Sequence, residues 1–451
     1  MTVSLASTST ADRPPTPAFR VALSFWLKLG FISFGGPAGQ IAVMHEELVE
    51  RRRWISERRF LHALNYCMVL PGPEAQQLAT YIGWLLHGTL GGIVAGALFV
   101  APSLVILIAL SWVYLSFGDV PAVAGVLYGI KPAVTAIVVF AAYRIGSRAL
   151  RNALLWAVAA AAFMAIFAFR VPFPWIVLAA GVIGLVGGRV APDRFRAGGG
   201  HGVGGKDYGS AVIGDDTPTP AHARFQPWRV AMVTIVGMAL AVLPLAALAW
   251  SGGWTGTLTQ MGWFFTKAAL LTFGGAYAVL PYVYQGAVET YAWLAPAQMI
   301  DGLALGETTP GPLIMVVAFV GFVGGWAQEA LGPGNQLAAG IAGASVATYF
   351  TFLPSFVFIL IGGPLVEATH GDLKFTAPLT TITAAVVGVI LNLAMFFAYH
   401  VLWPNGIGGW FDWISMLIGI AAGFALFLFK AGVIPVISAC ALAGLFVTLT
   451  A

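Results

Sequence analysis

Apolar segments of bilayer length recur along the whole chain, separated by short polar and charged bursts. A helix needs about 20 apolar residues to cross a bilayer, and in that solvent a helix satisfies its own backbone groups. Full crossings read at 89–117, 121–143, 152–169, 173–188, 229–250, 336–363, 375–401, 411–429 and 432–450, about nine in all. Four further pairs of apolar runs are too short to span singly: 20–34 with the helix that follows it, 59–70 with 74–87, 258–273 with 276–293, and 297–309 with 312–326. Residues 190–228 have no apolar periodicity and are rich in Gly and Pro, which reads as a cytoplasmic linker. The first 18 residues are polar, carry Pro14, Pro15 and Pro17, and read as a disordered cytoplasmic tail rather than a cleavable signal.

Each short pair is interrupted by glycine. The breaks are SFGGPAGQ (33–40), PGPEAQQ (71–77), TFGG (272–275) and TPGP (309–312). In the first two, Pro37 and Pro73 stand where a helix has its first position, and proline suits that place because its missing N–H would be unsatisfied there. The amides that follow, Ala38 and Gly39 or Glu74 and Ala75, are then free donors at the positive end of a helix dipole. Broken helices whose N-termini meet inside a bilayer are a common way for carriers to hold a small anion.

The two halves repeat each other. An offset of 239 takes Lys28 to Lys267, Gly35-Gly36 to Gly274-Gly275, Glu50 to Glu289, Trp54 to Trp293, and Pro71-Gly72-Pro73 to Pro310-Gly311-Pro312. After an insertion, an offset of 252 takes Pro102-Ser103 to Pro354-Ser355. The fold class is therefore an all-α polytopic membrane protein. Its expected parts are an N-terminal repeat over 19–189, a connecting helix at 229–250 and a C-terminal repeat over 251–451. Basic residues cluster in the first half at Arg51 to Arg53, Arg58, Arg59, Arg144, Arg148, Arg151 and Arg189, whereas 251–373 has Lys267 alone. By the positive-inside rule this predicts repeats of inverted topology, with the broken pairs as four re-entrant hairpins. The alternative is that some broken pairs cross fully, which would raise the number of spans.

Composition narrows the class. The chain has 451 residues, is 59% hydrophobic and 9% charged, and has a mean hydropathy of +0.87. A soluble domain has about 25% charged residues. The net charge of +4 comes from short clusters between apolar runs, so it does not mark a nucleic-acid binder. Cys67 and Cys440 stand far apart in apolar runs, which argues against a disulfide framework or a cysteine-rich metal site. HEELV departs from HExxH at Val49, and no GxSxG or Walker motif is present, so neither an enzyme nor a cofactor is expected.

The candidate chemistry gathers at the breaks. Lys28 and Lys267 each precede a Gly-Gly pair by seven residues, on the same helix face as the break. A cation at that depth costs about 2.5–3.5 kcal/mol, and the bland alternative is snorkelling to the interface. Glu74 and Glu307 approach the breaks as titratable groups for coupling, although a carboxylate just inside a helix start is favourable in any case. Neutral donors for an oxyanion are Gln40, Asn65, Gln76, Gln77, Thr80, Thr308 and Thr309, beside the backbone of Gly35, Gly36, Ala38, Gly72, Gly274, Gly275 and Gly311. Some of these would serve only freed backbone groups. Arg51, Arg52, Arg53, Arg58 and Arg59 form either a solvated face or a cytoplasmic funnel for a dianion. Lys131 is a weaker pathway candidate, and GIVAG (92–96), GVLYG (125–129) and GIAAG (419–423) fit close helix packing.

The stretch from FISFGGPAGQ through HEELVERRRW to LPGPEAQQLATYIGW resembles the N-terminal part of the chromate ion transporter family, and LTFGGAYAVLPYVYQ with LALGETTPGPLIMVV resembles its C-terminal half. The resemblance covers nearly all of the chain from about residue 19 except the linker, and its length matches the long, two-domain members. It implies export of chromate across the bacterial inner membrane, chromate resistance, and sulfate as a competing analogue. The second repeat lacks the HEELVERRR charges, so equal roles for the halves do not follow. The residues by themselves support a small oxyanion and leave open a carrier or a passive channel for chromate, sulfate or another anion. The sequence also leaves the oligomeric state open, a homodimer included.

Overall fold

The structure is a computed structural model that describes residues 14–34, 36–192, 208–273, 275–368, 376–406 and 408–450. Among them the chain is helical, with a single isolated bridge between Ile55 and Ile213. The first repeat comprises α1 (Phe19–Ile32), α2 (Gly36–His45), α3 (Glu57–Val69), α4 (Glu74–Phe117), α5 (Pro121–Ala149), α6 (Ala153–Phe167) and α7 (Phe173–Val190). The connecting helix is α8 (Pro227–Gly252). The second repeat comprises α9 (Thr257–Leu270), α10 (Ala276–Tyr284), α11 (Pro296–Thr308), α12 (Val316–Ala327), α13 (Gln336–Ala368), α14 (Thr376–Leu402), α15 (Trp413–Phe427) and α16 (Val433–Thr450).

α4 would be about 66 Å long if straight, roughly twice a hydrocarbon core. It is not straight. His87 (φ −134°, ψ 21°) and Gly88 (φ 68°, ψ −161°) are non-helical and reverse the chain. Gly83 then lies against Gly91 and Ala95, and Gly92 against the Thr80 carbonyl, so residues 74–86 run antiparallel to the span that begins at 89. The arms 57–69 and 74–86 therefore form a hairpin around Pro71-Gly72-Pro73. The second repeat reaches the same place by a longer route: Gly321 and Gly325 of α12 pack against Gly343 and Ala339 of α13 across the 328–335 turn.

The repeats agree in detail where their sequences do not. π-turns occupy both Glu46–Arg51 and Gln285–Thr290, positions related by 239. Each is followed by a left-handed residue, Arg53 (φ 51°) and Ala292 (φ 49°), and by a buried tryptophan whose amide donates back across the turn: Trp54 to Leu48 O and Trp293 to Ala287 O, both at 2.8 Å. Expected helices change accordingly: α10 passes at Tyr284 into the π-turn and ends at Thr290 instead of 293, and residues 313–315 form a 3-10 turn before α12. α2 starts at Gly36, one residue before Pro37.

The long spans run antiparallel. Gly96 of α4 faces Phe356 of α13, while Trp84, beside the start of that span, contacts Gly363 near the end of α13. The last helices are exchanged between repeats. Gly125 and Gly129 of α5 pack against Leu445 and Gly444 of α16, and Gly184 and Gly188 of α7 pack against Ala377 of α14. A Cβ at Gly129 would collide with the Cys440 carbonyl, so GVLYG is a close-packing motif, and so is GIVAG. GIAAG is not: Gly419 has only an ordinary contact with Pro132, at 3.5 Å, and a Cβ at Gly423 would meet open space.

Seven described helices are long and apolar enough to cross a bilayer. The other two of the expected nine, α6 and α15, are apolar helices of 15 residues each, about 22 Å. Both are fixed by side-chain N-caps: Asn152 accepts from Leu155 N at 3.0 Å and Asp412 from Ser415 N at 2.9 Å. Asp412 also accepts from Tyr128 of α5 at 2.8 Å and from the Ser415 hydroxyl at 2.8 Å. Asp412→Ala removes a cap and a buried inter-repeat tie together, so a loss of about 2–4 kcal/mol is expected, read as earlier thermal unfolding in detergent.

The segment expected to be a plain linker is partly docked. Val212 N donates to Arg53 O (2.9 Å), Ile213 N to Trp54 O (3.0 Å) and Ser56 N to Ile213 O (2.9 Å). Ala211, Ile213 and Ala223 are buried. The 1–13 part of the tail, residues 193–207 of the linker, Gly35 and Gly274 lie outside the described residues.

Candidate functional site

The four breaks meet in two reciprocal contacts. Gly72 N donates to Thr272 O at 2.8 Å, and Gly311 N donates to Ser33 O at 2.7 Å. The offset of 239 converts each bond into the other, so the second hairpin of each repeat closes on the first hairpin of its neighbour. The described glycine at every break is left-handed: Gly36 (φ 71°), Gly72 (φ 125°), Gly275 (φ 98°) and Gly311 (φ 103°). Only glycine enters that region without steric cost. The offset of 252 places the two span serines here as well. Ser103 Cβ is 2.8 Å from where a Cβ on Gly311 would sit, and Ser355 lies against Gly72 in the same way.

The two crossings differ in their hydrogen bonds. At the Gly72 crossing, Gln77 Nε2 donates to Pro71 O (2.8 Å) and Ser355 Oγ (3.3 Å), and the Thr272 hydroxyl donates to Ala268 O (2.7 Å). At the Gly311 crossing, Gln40 Nε2 donates to Gly311 O at 2.5 Å, while the hydroxyls of Ser33 and Ser103 are buried without a partner. Gln76 keeps its Oε1 unpartnered although its Nε2 donates to Thr80. Buried polar groups are normally paired, so these hydroxyls are available hydrogen-bonding capacity beside the crossing.

The carboxylates flank the same place. Glu74, partly exposed, starts the arm after Pro73, with its oxygens 3.9–4.0 Å from a Cβ position on Gly275. Glu307 is 9% exposed and accepts a short hydrogen bond from Tyr277. Arg144 of α5 acts electrostatically on both Tyr277 and Glu307. Tyr277 lies two residues after Gly275, so the first turn of α10 separates the two glutamates.

Other expected site residues are placed differently. Lys28 is on the exposed face of α1, away from the crossing, in a cavity of about 310 Å³ with Arg20, Ser24, Phe25 and Arg52. Lys267 lies over the Trp263 ring at 5.5 Å. Gln40 serves a backbone carbonyl, and Thr308 and Thr309 donate within their own helix to Leu305 O and Gly306 O. Ala38 is exposed and Asn65 is half-buried on α3. Lys131 is paired with Asp301.

The funnel arginines are largely engaged. Arg51 pairs with Glu46 (2.6 Å) and Glu47 (2.9 Å), Arg52 with Glu47 (3.2 Å), and Arg59 with Glu367 (3.6 Å). Arg52 also lies over Phe25 and Trp54. Burial opposes the charge on Glu47, yet the hydrogen bonds and charges of Arg52 and Arg51 outweigh it and hold that carboxyl below its usual range. Pairing reduces the field the cluster can offer an incoming anion. Arg58 remains exposed.

Ser33, Ser103, Tyr277 and Arg144 were not among the expected site residues. Ser103 had one visible signal, the Pro-Ser pair recurring at offset 252, whereas Ser33 only opened the SFGG break. Arg144 stood in a basic cluster that pointed to a cytoplasmic turn.

A sequence model described as "Chromate transporter" matches residues 21–185 and 259–445. The chain is 33% identical over 443 residues to a chromate transport protein of Pseudomonas aeruginosa, covering 96% of this chain and 93% of that one. It is 31% identical over 386 residues to a chromate transport protein of Cupriavidus metallidurans, covering 85% and 84%. A probable chromate transport protein of Synechococcus elongatus is 30% identical over 377 residues, covering 83% and 84%. No solved structure matches significantly.

Proposed function

The chain belongs to the chromate transporter family, and from that premise we propose that it is a secondary carrier that exports chromate across the bacterial cytoplasmic membrane. The observation that carries this reading is the reciprocal pair of bonds, Gly72 to Thr272 and Gly311 to Ser33. Each repeat's break is closed by the other's, between spans that run in opposite directions. A site shared in this way can be opened to one side or the other when the parts shift, which a fixed pore does not need.

The tail, the π-turn at 46–51 and residues 208–223 lie on the cytoplasmic side in this reading, because the arginines of the first repeat cluster there. Chromate is collected at the cavity of Arg20, Lys28 and Arg52, which has no carboxylate in its lining. It then meets the Ser33 and Ser103 hydroxyls and the backbone of the crossing. Glu74 and Glu307 couple its passage to protons.

The test is uptake of labelled chromate into inverted membrane vesicles under an imposed proton gradient, with and without excess sulfate. Gradient-dependent accumulation is expected, with weak competition by sulfate. Movement of sulfate or another oxyanion in place of chromate would overturn the substrate and leave the carrier. Lys28→Ala is expected to abolish accumulation while the protein stays in the membrane at normal abundance. Unimpaired uptake by that variant would remove Lys28 from the path.

A further inference from the structure

Two ion pairs join the repeats, one on each side of the crossing: the first is largely buried, and in the second a buried carboxylate meets a lysine that is 31% exposed. On the cytoplasmic side Arg59 of α3 meets Glu367 at the end of α13, at 3.6 Å, with side chains 15% and 9% exposed. Tyr81 donates to Glu367 at 2.6 Å, and Arg59 donates to Thr217 O of the docked linker at 2.7 Å. On the opposite side Lys131 of α5 meets Asp301 of α11 at 3.4 Å, and Tyr114 at the end of α4 donates to Asp301 at 2.9 Å. Asp301 is 2% exposed and its second oxygen has no partner. A cavity of about 520 Å³ lined by Tyr114, Asp119, Tyr128, Lys131 and Gln298 reaches it.

The two clusters occupy corresponding places. Each joins the first arm of one repeat's second hairpin, α3 or α11, to the end of the other repeat's long span, α13 or α4. The offset of 239 takes Arg59 to Gln298, which lines the same cavity as Tyr114, and the offset of 252 takes Leu115 to Glu367. The individual charges are not conserved between the halves, so the correspondence is one of position. Glu367 follows Ser355, and Tyr114 follows Ser103, by about 17 Å of helix. The clusters therefore sit at similar distances on opposite sides of the Gly72 and Gly311 crossings.

We propose that Arg59–Glu367 and Lys131–Asp301 are the two access latches of the carrier, holding its cytoplasmic and outer mouths shut and released one at a time. Removing one partner of a buried pair leaves an uncompensated charge, which applies to Arg59–Glu367 and to the Asp301 carboxylate, so each latch biases the choice between two arrangements, the outer one less strongly because Lys131 reaches solvent. The inner latch is additionally strapped by residues 212–217, the outer one faces an open cavity. The proposal rests on the carrier reading and not on which anion is carried.

Cys67 is a buried native reporter on α3, four residues before Pro71. Its counterpart by the offset of 239 is Gly306, where an added Cβ has its nearest contact at an ordinary 3.5 Å. The full-length protein would be labelled in vesicles with a membrane-impermeant maleimide, in a Cys440→Ala background. Glu367→Gln is expected to speed labelling of Cys67 from the cytoplasmic face about tenfold, as befits one lost buried pair biasing a two-state equilibrium. It should not speed labelling of the Gly306→Cys reporter, measured with Cys67→Ala, from the outer face. Asp301→Asn should do the reverse. The exchange Arg59→Glu with Glu367→Arg should restore slow labelling of Cys67, which a simple loss of packing would not allow. Equal acceleration of both reporters by either variant, or of neither, overturns the latches. Labelling needs no substrate, so failure of chromate transport with the labelling pattern intact rejects the substrate and leaves the latches standing.

Discussion

Gly72→Ala is expected to reduce chromate accumulation in vesicles to background. The residue is left-handed at φ 125°, and its added Cβ would collide with Ser355 Oγ and approach Gln77 Nε2 to 2.7 Å. Left-handed backbone costs a non-glycine residue about 1–2 kcal/mol before any collision is added. Gln77 can swing away, whereas Ser355 is buried on a packed span and can relieve the collision only by turning its hydroxyl to another rotamer. The amide of Gly72 would then be displaced from Thr272 O, and the crossing would open on one side only. Gly36→Ala is the control: φ is 71°, yet a Cβ there meets nothing within 4 Å, so strain alone should leave substantial activity. Ser355→Gly combined with Gly72→Ala should recover part of the loss. Full activity of Gly72→Ala at normal abundance would show that the crossing tolerates displacement.

Glu307→Gln and Glu74→Gln are expected to abolish the response to a proton gradient while leaving exchange of labelled for unlabelled chromate. Glutamine at 307 can still accept from Tyr277, so the contact survives and only the ability to gain a proton is lost. Tyr277→Phe does the opposite: it removes the donor and keeps the acid, and should change apparent affinity more than coupling. The measurement is initial uptake with and without an imposed gradient, set beside exchange without one. Gradient-driven accumulation by the Glu74→Gln, Glu307→Gln double variant would place coupling elsewhere.

The four breaks were legible because glycine and proline punctuate helices locally, and because one offset of 239 aligned them. Their partners were not. The Gly72–Thr272 and Gly311–Ser33 bonds join residues about 200 or more positions apart, and nothing near Ser33 marks its carbonyl as an acceptor for the other half. Gln40 looked like a ligand donor and proves to serve a carbonyl freed at a break. The docked linker was read as coil from its glycines, although Ala211, Val212 and Ile213 offered an apolar patch. Arg144 was assigned by the statistics of basic residues at helix ends, which describe where a chain turns and not where a guanidinium reaches. α6 and α15 end earlier than the pattern predicts because apolar residues run past the C-terminal end of each, while the N-caps Asn152 and Asp412 set their starts.

The exchange of α6–α7 and α15–α16 between repeats means that the two halves of the polypeptide are not its two mechanical parts. α5 carries α16 on its glycine face and α14 carries α7, so any body that moves as one piece contains segments from both ends of the sequence. The docked residues 211–223 are then a tie between already interlocked assemblies. A chain consisting of one repeat would leave the glycine face of its own α5 bare until a second chain supplied the missing helices. Chains of that kind would have to fold as couples, each completing the other, and this long chain has made that partnership permanent.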